Sequence, residues 1–288
     1  MSLWRRARES KEVAPALQEP GPTTSLHMRL PLALVLFSLV GSAAVLPGCA
    51  TIAGTNYYSV DQEWELGRQV EADLNRQLRL VNDRALTQYV QSMGQRMVQQ
   101  TTLSGQRWRF YVVADDAINA FNAPGGLIYV NTGLIKRVGS AAELAGAIAH
   151  EVGHGVARHG TSRLSKANDA NAVAGAVLGT DPGVAEQIAA QIVAQGTFAS
   201  FSRGAEREAD ELGVQLMAAT GYNPDGLVQL LQRLAEQGEG GGIAFLRTHP
   251  LSSERAANVR ALARSVNRSG LRMNESGFDA AKRAASRY

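Results

Sequence analysis

The run Ala142-Glu143-Leu144-Ala145-Gly146-Ala147-Ile148-Ala149-His150-Glu151-Val152-Gly153-His154-Gly155-Val156-Ala157-Arg158-His159 constrains this chain more than any other stretch. It reads as one helix. Ser140, followed three residues later by Glu143, predicts a capping box at its start. Leu144, Ile148 and Val152 recur every four residues and predict a buried stripe. Arg158, His159 and Gly160 supply a cationic last turn and a glycine stop. On such a helix His150 and His154 stand one turn apart on one face, so both imidazoles reach a single ion at about 2 Å. Glu151 lies beside them, where a carboxylate can take a proton from water activated by that ion. Gly153 and Gly155 each cost about 1 kcal/mol relative to Ala inside a helix, a cost that makes sense if another element approaches closely there.

Catalytic zinc generally takes three protein ligands and keeps one position open, so two histidines call for a third residue. The remaining histidines are His27, His159 and His249. His159 follows His154 by five residues, about 140° round a continuous helix, and suits the C-terminal dipole better than a metal. Glu206 is the better third ligand, near the start of a second strong helix over residues 205–219. Asp210 stands one turn further on the same face, where its carboxylate can accept the other ring N–H of a ligand histidine and fix its tautomer. By spacing alone Glu208 and Glu211 remain rivals, and a solvated acidic face is the ordinary alternative.

The formal charge is +3 over 288 residues, and about +1 once residues 1–48 are set aside, which leaves no electrostatic footprint for nucleic acid. A hydrophobic content of 45% is ample for a core. Residues 1–27 show no periodicity and read as a non-native or disordered extension. Met28-Arg29 then opens a short basic region, residues 30–46 form an apolar run, and Leu46-Pro47-Gly48-Cys49 closes it. This is the layout of an export signal over residues 28–48. A run of that length is at the short limit for an uncleaved membrane anchor. An ordinary core thiol is the other alternative for Cys49, the single cysteine, which has no disulfide partner within the chain. The layout resembles a bacterial lipoprotein signal. That resemblance implies that Cys49 is acylated and begins the mature chain, that His27 is lost with the signal, and that Ala50 directs the protein to the outer membrane. Acyl chains at about 0.8 kcal/mol per buried methylene, in two or more copies, hold a protein stably on a membrane.

Residues 49–58 read as a tether, 59–267 as one folded domain and 268–288 as a flexible tail. Ser59 caps a helix over about residues 61–81, and Asn82-Asp83 restarts a second. Residues 108–113, 118–121 and 127–131 read as strands, the last two joined through Asn122-Ala123-Pro124-Gly125-Gly126 as a hairpin. One of these strands is a candidate edge for pairing with an extended peptide, with Asn119, Ala120, Phe121, Leu127 and Tyr129 as the contact residues. Residues 162–202 are rich in Ala and Gly and predict two packing helices, broken at Asp181-Pro182-Gly183. A helix opens at Asp225, residues 238–242 form a flexible break, and Thr248-His249-Pro250 leads into a last helix ending near Val266. The fold class is α+β, mainly helical, with a small mixed sheet.

Three blocks then share one resemblance: His150-Glu151-Val152-Gly153-His154, Ser202-Arg203-Gly204-Ala205-Glu206-Arg207-Glu208-Ala209-Asp210, and Thr248-His249-Pro250. With Asn119-Ala120-Phe121 and Gly125-Gly126-Leu127-Ile128-Tyr129-Val130, they resemble the gluzincin metallopeptidases of the HtpX and CAAX-prenyl-protease family over about residues 59–266. The integral-membrane branch has several spans around the site, and this chain has none there, so it looks most like the soluble periplasmic BepA/LoiP-like lipoprotein branch. The resemblance implies a zincin-type fold around the His150–His154 helix and one Zn2+ per chain held by His150, His154 and Glu206. It implies that Glu151 is the general base and that Asp210 supports the ligands. For His249 it implies either approach to the zinc that blocks the open position or donation to the oxyanion, with a turn cap as the plain alternative; Arg255 is a weaker candidate for the same region. The implied function is a zinc endopeptidase that cleaves misfolded or unassembled envelope proteins. It would be anchored by lipid, at the outer membrane facing the periplasm, with outer-membrane assembly machinery as a candidate partner. The alternative is a periplasmic chaperone or assembly factor whose zinc site is held mostly inactive.

Overall fold

The computed structural model describes residues 56–170, 182–198, 200–237 and 243–288. The extension 1–27, the signal 28–48, Cys49 and most of the tether lie outside the described residues. Ser59 opens α1 (Val60–Gln77) with a full capping box: its hydroxyl accepts from Gln62 N, and Ser59 N donates to the Gln62 side chain. Asp83 caps α2 (Arg84–Val98) by accepting from Leu86 N. Strands β1 (Arg109–Val113), β2 (Ala120–Ala123) and β3 (Leu127–Asn131) follow. Then come α3 (Thr132–Arg137), α4 (Ala141–Val156), α5 (His159–Ala170), α6 (Pro182–Gln195), α7 (Arg203–Ala219), α8 (Asp225–Gln237), α9 (Ala244–Thr248), α10 (Ser253–Ser265) and α11 (Phe278–Ala285).

The sheet is mixed, in the order β1-β3-β2, with β3 parallel to β1 and antiparallel to β2. Its side chains alternate between two cores. Phe110, Val112, Ile128 and Val130 face the cluster that contains α2 and α4, while Leu127, Tyr129 and Phe121 face a second cluster with α1 and α6. Covering both faces is why Leu127-Ile128-Tyr129-Val130 reads as an unbroken apolar run rather than an alternating one. β2 continues through Ala123, so the hairpin connection shortens to Pro124-Gly125-Gly126, whose glycines take φ of 80° and 73°.

Helix α4 is buried from Ala141 through Gly155, on every face. The stripe of Leu144, Ile148 and Val152 is there, but the alanines and glycines between are enclosed as well, as in a helix that runs through a core. It packs chiefly on α7, then on α8 and β2. Ser140 caps it by accepting from Glu143 N. The expected reciprocal bond is displaced by one residue: the Glu143 carboxylate accepts from Gly139 N at 3.0 Å and pairs with Arg233 of α8 at 2.8 Å. A Cβ on Gly153 would come within 2.8 Å of the Ala209 carbonyl oxygen, so that glycine is what lets α7 lie against α4.

Two expectations are corrected. The helix does not run on to His159. It ends at Val156, Arg158 takes a left-handed φ of 56°, and α5 restarts at His159. The turn is held by the Arg158 guanidinium, which pairs with Glu63 of α1 at 2.6 Å and donates to the carbonyls of Tyr58 and Ser59. Residues 268–288 are not a loose tail either. Phe278, Ala281, Ala284 and Ala285 of α11 are buried against α2 and α3, and Glu275 accepts from the Tyr222 hydroxyl at 2.6 Å. This eight-residue helix is amphipathic, but its buried face is one phenylalanine and three alanines, too little apolar bulk to mark a core element in advance.

Candidate metal centre

α4 presents His150 and His154 one turn apart, α7 presents Glu206, and His249, the residue that ends α9, completes the group. One ligand atom from each lies within 4.8 Å of the others, and all four residues are buried. His150 Nε2 and His154 Nε2 are 3.1 Å apart, and the Glu206 oxygens lie 3.5 and 3.4 Å from them. His249 Nδ1 is 3.2 Å from His150 Nε2 and 3.1 Å from Glu206 Oε1. Ligands bound at 2.0–2.1 Å on tetrahedral corners are separated by about 3.3 Å, and the contacts among His150, His154 and Glu206 and from His249 to His150 and Glu206 fall close to that value. Lone pairs converging this closely in a buried cage are unfavourable unless something accepts them. Imidazoles with one carboxylate are a donor set that zinc takes readily. The residues fit the ion.

Glu151 lies next to the cage, fully buried. Among the described residues neither of its oxygens makes a hydrogen bond, although His249 Nε2 stands 3.2 Å from Oε1. Asp210 Oδ1 lies 2.9 Å from His150 Nδ1. The N–H does not aim squarely at that oxygen, yet the Asp210 carboxylate is the nearest partner of that nitrogen and favours the charged imidazole. Arg255 grips Asp210 with two bonds of 2.8 and 2.9 Å, approaches Glu206 Oε2 at 2.7 Å, and donates to the His249 carbonyl at 3.1 Å. It is 7% exposed. It therefore ties the α7 carboxylates to the loop that carries His249.

Charge in the cage follows from these contacts. Burial drives the His154 imidazole well below its ordinary pKa and keeps it neutral. Burial acts the same way on His249, but the Glu151 and Glu206 carboxylates outweigh it and carry His249 up to about 10. Burial raises the Glu206 and Asp210 carboxyls. The histidines hold Glu206, and Arg255 with His150 hold Asp210, below the usual carboxylate range.

Glu206 is the carboxylate that α7 brings to the histidines. Glu208 Oε2 instead lies 3.3 Å from His159 Nε2, and Glu211 is outside the group. His159 leaves the helix dipole expected of it, and its Nδ1 meets His154 Nδ1 at 2.8 Å. Phe201 stacks on the His154 ring at 4.1 Å. Of the strand residues, Ala120 and Phe121 are on β2, an edge of the sheet, with Asn119 just before it. Leu127 and Tyr129 are corrected: β3 is the central strand, paired on both sides, so neither has a free backbone edge to offer.

The family description that matches this chain is peptidase family M48, over residues 84–263. The chain belongs to peptidase family M48. The matched segment holds all four cage residues together with Glu151, Asp210 and Arg255. Among curated relatives, the chain is 31% identical over 237 residues to a beta-barrel assembly-enhancing protease of Yersinia pestis, covering 77% of this chain and 48% of that relative. It is 29% identical over 259 residues to the protein of the same name from Escherichia coli K12, covering 86% and 53%. It is also 29% identical over 175 residues to the mitochondrial metalloendopeptidase OMA1 of Schizosaccharomyces pombe, covering 60% and 52%. The chain thus spans about half the length of the curated relatives it matches.

His150, Glu151 and His154 announce themselves by spacing. Their supports do not. The left-handed turn at Arg158 has no local sequence signal, since arginine carries no preference for it, and without that turn His159 points elsewhere. Phe201 precedes a Ser202 N-cap and reads as a loop residue.

Proposed function

We propose that this chain is a zinc-dependent endopeptidase whose site is closed, in this conformation, by His249. The observation that carries the reading is a buried ligand set within 4.8 Å beside a buried Glu151 carboxylate that makes no hydrogen bond. A bound zinc supplies Lewis-acid polarisation of a scissile carbonyl and lowers the pKa of water toward 7. Glu151 takes the proton of the attacking water and returns it to the leaving amine. His150, His154 and Glu206 hold the ion, and Asp210, fixed by Arg255, orients His150. His249 lies 3.1 Å from Glu206 through Nδ1 and 3.2 Å from Glu151 through Nε2, so in this conformation it would bar both the access of water to a bound ion and the base. Displacing one turn frees both.

An extended peptide pairing along the β2 edge near Asn119, Ala120 and Phe121 would bind mainly through its backbone, which favours unfolded protein over any one sequence. Beside Glu206 lies a cavity of about 130 Å³, walled by Phe201, Pro250, Leu251 and Leu262 and by the charged Arg203, Arg207, Glu254 and Arg255. Its volume, close to the roughly 150 Å³ that takes a benzene ring, suits one side chain with an apolar stem next to the scissile bond. Relatives named for β-barrel assembly support envelope proteins as substrates. No helix among the described residues is long and apolar enough to cross a membrane, and acylation of Cys49 is the anchoring we assign, at the outer membrane facing the periplasm. The second reading, an assembly factor that cleaves rarely, is favoured by the same His249 contacts.

Casein hydrolysis by purified protein, with and without chelator, tests the activity. Cleavage that chelator abolishes is expected. Stoichiometric zinc with no cleavage by wild type or His249→Ala would leave the assembly-factor reading in its place. Intact-mass analysis from native membranes tests the anchor, and an unmodified Cys49 would remove it.

A further inference from the structure

The two ligand histidines share a helix but are not supported alike. His150 has a carboxylate directly at its outer nitrogen, with Asp210 Oδ1 at 2.9 Å. His154 has none. It turns Nε2 toward the cage and Nδ1 toward His159 Nδ1, at 2.8 Å, with the rings crossed at 70°. His159 Nε2 in turn lies 3.3 Å from Glu208 Oε2. Phe201 lies against one face of the His154 ring, tilted by 22°.

The protons follow from the geometry. Two ring nitrogens 2.8 Å apart share one proton, so one donates and the other accepts. With Nε2 of His154 given to a metal, its proton sits on Nδ1, and His154 is the donor. His159 Nδ1 is then the acceptor, which leaves the proton of His159 on Nε2, facing the Glu208 carboxylate.

The backbone is bent to make this contact. On a continuous helix His159 would stand about 140° from His154. It comes back onto His154 because Arg158 adopts φ 56°, the only positive φ of a non-glycine residue among those described. That conformation costs about 1–2 kcal/mol for an L-residue. It is retained by a buried partner from another helix: Glu63, 2% exposed, which pairs with Arg158 at 2.6 Å and accepts from the Thr161 hydroxyl at 2.7 Å. Strain held in place by surrounding structure is a feature of functional sites, and here it delivers one side chain to one ligand.

We propose that His159 is a positioning residue for His154, setting its tautomer and ring plane through a relay that ends on Glu208, and that the strained Arg158 turn exists to place it. The proposal rests on the metal reading above. Its test is zinc affinity, measured by chelator competition on the purified full chain, with folding checked by circular dichroism and thermal unfolding. His159→Phe keeps a buried ring but cannot accept the proton, so zinc should bind roughly 10- to 100-fold more weakly. His159→Gln can accept from His154 through its carbonyl and donate to Glu208 through its amide, so it should recover most of that loss. Glu208→Gln, on a half-buried surface, should show a smaller loss of the same sign, and it carries the test if the Phe variant does not fold. With cobalt in place of zinc, the visible absorption bands should shift in His159→Phe and return in His159→Gln, which a merely structural residue would not produce. Wild-type affinity within twofold and an unshifted cobalt spectrum in folded His159→Phe would overturn the proposal, as would a Gln variant no better than Phe. A wild-type chain that takes up no zinc would overturn the metal reading, and this proposal with it.

Discussion

Three of the four cage residues and the fourth are built into very different parts of the molecule. His150, His154 and Glu206 come from α4 and α7, helices of 16 and 17 residues that make the most extensive packing contact in the fold. His249 comes from the end of the five-residue α9 and the turn before α10. Moving any of the first three means separating two core helices. Moving His249 means turning a short segment held by Arg255 to its carbonyls, by Phe245 N to the Ile118 carbonyl, and by the buried Phe245 and Ile243 side chains. The proposed function divides its labour along the same line: the paired helices would hold the ion, and the loop would govern access to it.

The comparison breaks first if the helices do not hold the metal. His154→Ala or Glu206→Ala removes one of three helix-borne ligands, so zinc content should collapse along with activity, as read by metal analysis. Near-stoichiometric zinc in Glu206→Ala, with the loss appearing in Glu208→Ala or Glu211→Ala, would mean that another carboxylate is the ligand. Next in size is the tie between the two regions. Arg255→Ala strands the buried Asp210 and Glu206 carboxylates, and breaking such a pair costs about 3–5 kcal/mol. Thermal unfolding of the metal-free protein should show it as a lowered midpoint, and an unchanged midpoint would deny Arg255 that role.

How much of this was legible in the sequence divides along the same line. The helix with His150 and His154, the cap at Ser59, the helix restart at Asn82-Asp83 and the three strands follow from local spacing, which is what a helix or hairpin encodes, whereas spacing left Glu208 and Glu211 as rivals of Glu206. What was not legible depends on contacts distant in sequence. Glu63 and Arg158, 95 residues apart, set the turn that re-aims His159. The strand order puts Leu127 and Tyr129 at the centre of the sheet, and only the pairing reveals that. α11 is short and buries mostly alanine, and only its packing on α2 and α3 shows that it belongs to the core.

Smaller effects sharpen the comparison. Asp210→Asn keeps the shape but weakens the support of His150, and should cost roughly 10- to 100-fold in zinc affinity or in casein hydrolysis; an effect under twofold would leave His150 held by packing alone. His249→Ala should have the mildest consequence for metal content and raise hydrolysis severalfold, because it unbars the fourth position without touching the helix ligands. A fall in hydrolysis would make His249 an oxyanion donor, and a change within twofold would leave it only a structural part.

The central claim is that the helices hold a metal while Glu151 moves the proton, and Glu151→Gln separates the two. Glutamine matches the size of the carboxylate but cannot take a proton from water. Measured on one preparation, zinc per chain should match the wild type while casein hydrolysis disappears. Wild-type hydrolysis in Glu151→Gln would contradict the account.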